Sequence, residues 1–264
     1  MSDRTDTRAQ LRRLAERYLE QCDEYTNHEE RERLVSNWEA QYERAQSIVS
    51  DFKLRAGDPS GSRFLEVGFG SGIQLLTFAK AGAQVSGLEV NPVLYEIATE
   101  CFAREGVEGE LHLYDGSTMP FNDSTFDFAF SVSVLEHTAD PDRLISEVAR
   151  VLVPGGKFYL SFPNRLTLRE HHTDILGISY LPRAWASYIV RKFYNRNSVE
   201  ELNLHFVSYL TLLRSLRGTG LRIQYEVGDA PGMKAFVKRV LSWMGIHHGA
   251  FLRTIMIVLV KSEK

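Results

Sequence analysis

Ten residues, Arg63-Phe64-Leu65-Glu66-Val67-Gly68-Phe69-Gly70-Ser71-Gly72, constrain this chain more tightly than any other stretch. Phe64, Leu65 and Val67 make a short apolar run that suits a buried strand. Glycine then stands at 68, 70 and 72, and Ile73 to Ala81 reads as a helix. A strand that passes through a glycine turn into a helix brings backbone N–H groups and a helix N-terminus against a ligand, with no Cβ in the way. The spacing excludes one such ligand. A dinucleotide fingerprint G-x-G-x-x-G beginning at Gly68 requires glycine at 73, where Ile73 stands. Glu66, inside the strand end, disfavours a pyrophosphate by charge and suits a ligand that carries an ammonium group. On its own the motif also fits a tight turn that binds nothing.

The surrounding pattern places the turn in a larger fold. Strand patterns at 63–67, 84–89, 110–114, 126–131 and 157–162 alternate with helical ones at 72–81, 92–105 and from Asp140-Pro141 onward. Asn91 before Pro92 is a cap followed by proline at the first helical position. Leu144, Val148 and Leu152 form the buried face of the third helix, which Pro154-Gly155-Gly156 is expected to end. A helix from Ser208 and strands at 221–227 and 254–260 complete the pattern. The expectation is an α/β fold with a Rossmann-like, doubly wound, mostly parallel seven-stranded sheet and helices on both faces. Binding then belongs at the carboxyl ends of the strands, near the point where the strand order reverses. Charged helical patterns over 1–60 read as an N-terminal extension or lid, and Gly57-Asp58-Pro59-Ser60-Gly61 marks the boundary to a domain over 61–264. Segments 163–205 and 228–253 interrupt the pattern as helical cap inserts.

Partners for the glycine turn occur in order at the other strand ends. Glu89 ends the second strand, where its carboxylate can accept from both hydroxyls of a ribose. Asp115 follows the third strand and can accept from an adenine amino group. Phe126-Asp127-Phe128-Ala129-Phe130-Ser131-Val132-Ser133-Val134-Leu135-Glu136-His137 and Leu152-Val153-Pro154-Gly155-Gly156-Lys157 come next. Together these segments resemble the consecutive motifs of the small-molecule class I S-adenosylmethionine-dependent methyltransferases of the type 11 kind. The resemblance is close over about 61–165 and looser over 205–262. It implies S-adenosyl-L-methionine as cofactor, with Glu66, Gly68, Gly70 and Gly72 around its methionine part. It further implies Glu89 at the ribose, Asp115 and Gly116 at the adenine, and the Ser131 region on the sulfonium side.

Methyl transfer from a sulfonium needs alignment of the acceptor and exclusion of water, and a hydroxyl acceptor also needs a base. His137, just past the fourth strand, is the first candidate, against a backbone-bonded loop histidine. His171 and His172 are candidates as base or substrate contacts, and His205 is another. Glu136-His137 also resembles part of a metal-binding set in ubiquinone-pathway O-methyltransferases, but that pattern has a glutamate where Ser133 stands, so no metal is expected.

The helix from Pro182 to about 195 sets Arg183, Arg191, Lys192 and Arg196 beside Trp185, Tyr188, Ile189 and Phe193, and 233–243 is similar. Two readings stay open, inserts packed on the sheet with snorkelling basic side chains or contact with a membrane surface or lipid-linked acceptor. A net charge of -3 gives no general attraction to nucleic acid, and the chain lacks the Pro-Pro-aromatic tetrapeptide expected of nucleic-acid amino-methyltransferases. Two distant cysteines, Cys22 and Cys101, and a polar start point to reduced thiols in a cytoplasmic protein. The functional expectation is methyl transfer to a small-molecule or lipid- or glycan-linked acceptor, with oxygen favoured over nitrogen or carbon. The alternatives are a non-catalytic cofactor-binding or assembly protein and an N- or C-methyltransferase of natural-product biosynthesis.

Overall fold

Alternating apolar side chains on the central strands need cover on both faces, and the chain supplies it. The computed structural model describes residues 2–21, 28–165, 175–194, 205, 207–226 and 254–263. Strands β1 (Arg63–Val67), β2 (Gln84–Glu89), β3 (Glu110–Leu113), β4 (Phe126–Val132) and β5 (Leu152–Pro163) run parallel. Strand β7 (Thr254–Lys261) lies antiparallel between β5 and β6 (Leu221–Glu226), giving the order β3-β2-β1-β4-β5-β7-β6. The chain winds outward through β2 and β3, then returns to the other side of β1 with β4. That reversal places a crevice at the carboxyl ends of β1 and β4, directly above the glycine turn.

One sheet face carries Leu65, Ala129, Phe158 and Leu160 under α6 (Pro141–Val151) and α8 (Tyr209–Ser215). Their neighbours along the strands, Phe64, Phe130 and Tyr159, point to the other face and meet α4 (Ile73–Lys80) and α3 (Gln41–Arg55). Phe52 of α3 is fully buried there, with its ring 5.2–6.1 Å from those of Phe64, Phe78, Phe128, Phe130 and Tyr159. Polar bonds fix the same helix to the sheet: Tyr159 donates to Asp51 at 2.9 Å and Lys157 to the Ala56 carbonyl at 2.6 Å.

Helices α1 (Ser2–Glu20) and α2 (His28–Glu39) build a further apolar cluster. Leu11, Tyr18, Val35 and Trp38 enclose Ile73 of α4 with Ile97 and Cys101 of α5 (Pro92–Glu105). Burial raises the Cys101 thiol to about 11, which leaves it an apolar core residue.

The caps form as the sequence predicts. Asn91 Oδ1 accepts from the Val93 and Leu94 N–H groups at 2.9 and 3.2 Å, and Asp140 Oδ1 from Arg143 N–H at 3.0 Å. The predicted end of α6 differs. Leu152-Val153-Pro154-Gly155-Gly156 already belongs to β5, because Gly155 at φ +76 lets the strand bulge. Pairing jumps there from Leu152 opposite Phe126 to Lys157 opposite Phe128. The expected helices near 182–195 and 208–218 appear as α7 (Arg183–Tyr194) and as α8. No described helix is long and apolar enough to cross a membrane.

Candidate functional site

The three glycines of the turn all have left-handed backbone, φ +74 at Gly68, +54 at Gly70 and +77 at Gly72, but they serve two purposes. A Cβ on Gly68 would stand 2.3 Å from Val134 Cγ2, and one on Gly72 would stand 2.7 Å from Ala98 Cβ. Those two let β4 and α5 close on the turn. A Cβ on Gly70 would meet nothing within 4 Å, so this glycine keeps open the face a ligand would approach. We expect Gly68→Ala to lower thermal stability by about 2–4 kcal/mol, overpacking added to backbone strain. Gly70→Ala is expected to cost only about 1 kcal/mol of stability while weakening ligand binding more than Gly68→Ala does relative to its stability loss. Melting curves with and without S-adenosylhomocysteine separate the two; equal melting temperatures for both variants would contradict this division.

Two carboxylates are buried at the turn. Glu89 Oε2 accepts from Gly70 N–H at 2.8 Å, and its Oε1 accepts from Val90 and Asn91 N–H at 2.8 and 2.9 Å. Glu66 is 2% exposed, and its Oε2 is buried with no hydrogen-bond partner. Burial, then the negative charge of Glu89, push its carboxyl well above the ordinary range. A buried polar oxygen with no partner is costly, and a hydrogen-bonding group on a ligand would supply the missing one. The ammonium group of an amino acid fits it.

The adenine end is more open. Asp115 is exposed, and its Oδ1 accepts from Ser117 N–H at 2.8 Å and Ser117 Oγ at 2.6 Å, which hold its carboxyl below the usual range. Gly116 follows at φ +78, close to Val90, an apolar side chain left 55% exposed at this corner. Ser131 stands at the end of β4 beside the glycine turn, its buried hydroxyl donating to the Val67 carbonyl at 3.2 Å. What this strand end turns toward the glycines is Val134, after a left-handed Ser133 at φ +58.

His137 closes a single 3-10 turn, Leu135–His137, at the end of β4. The fold brings His205 beside it, since His205 N–H donates to the Glu136 carbonyl at 2.6 Å. Burial first, then the positive charges of Arg183 and His137, lower the His205 pKa below its ordinary 6.5. Next to His205 opens a cavity of about 300 Å³. His171, His172 and the 233–243 segment lie outside the described residues. Among the described residues no group of three His, Cys, Asp or Glu side chains gathers where it could hold a metal. On α7, Ala186 and Val190 pack against Ile175 and Ile178, while Trp185, Tyr188 and Phe193 are more than half exposed.

Gln41 was not foreseen: its Oε1 accepts from Ser71 Oγ at 2.6 Å, a bond from the N-terminal helices to the glycine turn. No local pattern marks it, because the pairing joins residues thirty apart across two elements.

This sheet order, with a buried Glu66 whose Oε2 lacks a partner at the glycine turn and Glu89 and Asp115 at the next strand ends, is the fold of class I S-adenosylmethionine-dependent methyltransferases. Residues 65–160 match the family model described as a methyltransferase domain. It is 38% identical over 96 residues to the sterol 4-C-methyltransferase strm-1 of Caenorhabditis elegans, covering 36% of this chain and 29% of that protein. It is 32% identical over 127 residues to a ubiquinone biosynthesis O-methyltransferase of Xanthomonas axonopodis pv. citri, covering 48% and 53%. The chain thus spans about half or less of the length of these curated relatives. The solved structure of an S-adenosylmethionine dependent methyltransferase from Mesorhizobium loti superposes with a TM-score of 0.56 at 17% identity, covering 80% of this chain and 96% of that one, a likeness of fold.

Proposed function

We propose that this protein moves the methyl group of S-adenosylmethionine to a small-molecule or lipid- or glycan-linked acceptor, with an oxygen as the methylated atom. The observation that carries the reading is Glu66, a buried carboxylate whose Oε2 has no partner, at the head of a turn whose one open glycine is Gly70. Glu66 would take the ammonium of the methionine part, Glu89 the ribose hydroxyls, and Asp115 with Gly116 the adenine. When bound, the cofactor supplies an already activated methyl group. The chain's own residues then orient the acceptor, exclude water and receive its proton. His137 is our choice for that proton. His205 beside it, with its pKa lowered, is neutral near pH 7 and able to accept one as well. Residues 1–60 serve as an extension of the 61–264 domain that braces the turn through Gln41 and the cluster around Ile73.

The relatives that act on sterols and in ubiquinone biosynthesis support an apolar or lipid-borne acceptor. So do the exposed aromatic side chains of α7 beside Arg191 and Lys192, which suit peripheral contact with a lipid surface. We place the protein in the cytoplasm, and its mildly acidic charge gives no general attraction to nucleic acid as a partner. The test is a screen with cofactor labelled in the methyl group against phenols, sugars, quinone precursors and polyprenyl glycolipids. With the acceptor in hand, His137→Ala is expected to lower kcat by about 10²–10⁴-fold and to leave calorimetric binding of S-adenosylhomocysteine unchanged. A near-wild-type rate in that variant would remove His137 from the role.

A further inference from the structure

We infer that Arg143 of α6 is the positioning residue for purine selection: it fixes Ser117, and through Ser117 it aims the Asp115 carboxylate so that the cofactor site takes a 6-amino purine over a 6-oxo one. The inference rests on the reading above, which puts Asp115 at the adenine. The helix that carries Arg143 has two faces. Leu144, Ile145, Val148 and Ala149 are buried against the sheet, while Arg143, Glu147 and Arg150 follow one another at helical spacing on the face turned to the loop after β3. Residues 114–121 of that loop lie in neither helix nor strand, and the side chains of α6 hold them instead.

The two ends of the loop are gripped separately. Arg150 Nη1–H donates to the Phe121 carbonyl at 2.7 Å and its Nη2–H to the Met119 carbonyl at 3.1 Å, and Glu147 Oε2 accepts from Met119 N–H at 2.8 Å. Arg143 takes the end next to Asp115. Its Nε–H donates to the Ser117 carbonyl at 3.0 Å and its Nη2–H to Thr118 Oγ1 at 2.7 Å. Ser117 in turn gives both its N–H and its hydroxyl to Asp115 Oδ1. The start of this chain of bonds is rigid, because Arg143 N–H is itself bonded to the capping Asp140 in the first turn of α6. The acidic neighbours on the helix have other partners: Glu147 binds Arg150 through both oxygens, and Asp142 accepts from Ser215 Oγ. A planar guanidinium that donates through two nitrogens fixes orientation as well as distance, which a single ammonium does not. Orientation matters here because Asp115 is exposed, and an exposed carboxylate that turns into water discriminates little. With Oδ1 taken by Ser117, Oδ2 is the oxygen that meets the purine. A 6-amino group donates to it, whereas a 6-oxo oxygen has no proton to give.

The test is calorimetric titration of the full chain with S-adenosylhomocysteine and with its 6-oxo counterpart, S-inosylhomocysteine. We expect the wild type to prefer the amino purine by about tenfold or more, as for a hydrogen bond to a charged group, and Arg143→Met to bring that preference below about threefold. In an Asp115→Ala background, Arg143→Met should change the affinity for S-adenosylhomocysteine by less than about twofold, because the group it aims is gone. Equal binding of the two purines by the wild type overturns the inference without any variant having to fold. A preference unchanged in Arg143→Met overturns it too. So does a further several-fold loss on top of Asp115→Ala, the mark of a residue that supports the fold rather than Asp115. Failure of the wild type to bind S-adenosylhomocysteine at all is a separate result, and it sinks the methyl-transfer reading itself.

Discussion

Glu66→Gln is expected to weaken S-adenosylhomocysteine binding by on the order of 10²–10³-fold, the loss that follows when one partner of a buried charged pair is removed. The free protein keeps Glu66 protonated above the ordinary carboxylate value of 4.5, because burial and Glu89 oppose its charge. An arriving ammonium group reverses that preference, so binding expels a proton. Affinity should therefore rise with pH up to the raised value at which the free protein itself ionises Glu66. Calorimetry in buffers of different ionisation heat reads the released proton directly, and Glu66→Gln should abolish it. The sign for folding is opposite. A carboxyl raised in the native state stabilises the ligand-free fold at low pH, and this contribution fades as pH climbs from 4.5 through the raised value. Melting temperature without ligand should then fall over that window more in the wild type than in Glu66→Gln. Binding that released no proton would contradict the assignment of Glu66.

Phe52→Ala should destabilise the protein by roughly 3–5 kcal/mol, the range for a fully buried phenylalanine. Five aromatic rings lie around this side chain, and they belong to α4 and to three strands of the sheet. Removing it opens a cavity that neighbours on rigid strands cannot collapse to fill. Leu54→Ala, two residues away and 80% exposed, should change stability by less than about 0.5 kcal/mol. Urea denaturation of both variants gives the comparison. Similar midpoints would mean that α3 is peripheral to the fold.

Much of this architecture was legible from short-range pattern. The limits of β1, β2 and α5 follow from apolar runs, glycine and the Asn91-Pro92 cap, all of which act within a few residues. The bulge at Gly155 was not, because a Pro-Gly-Gly sequence ends a helix or bends a strand with equal ease and only pairing with β4 selects the second. In the same way Glu66 and Glu89 could be placed by their motif, since the strand carries them directly to the turn. The bond from Ser131 to Val67 could not: which face of β4 a residue presents depends on register. The neighbours His137 and His205 come together only through the return of the chain after β5. No spacing in the sequence encodes that meeting.

The position of β7 between β5 and β6 has a consequence for synthesis on the ribosome. The outer edge of β5, with Phe158, Leu160 and Phe162 along it, has its pairing partner about 90 residues later in the chain. At about 5–20 residues per second that edge stays open for roughly 5–20 s while the first five strands are already able to fold. An unpaired apolar edge of that kind is a template for another chain. The protein should therefore depend on holdase-type chaperones for its yield in cells.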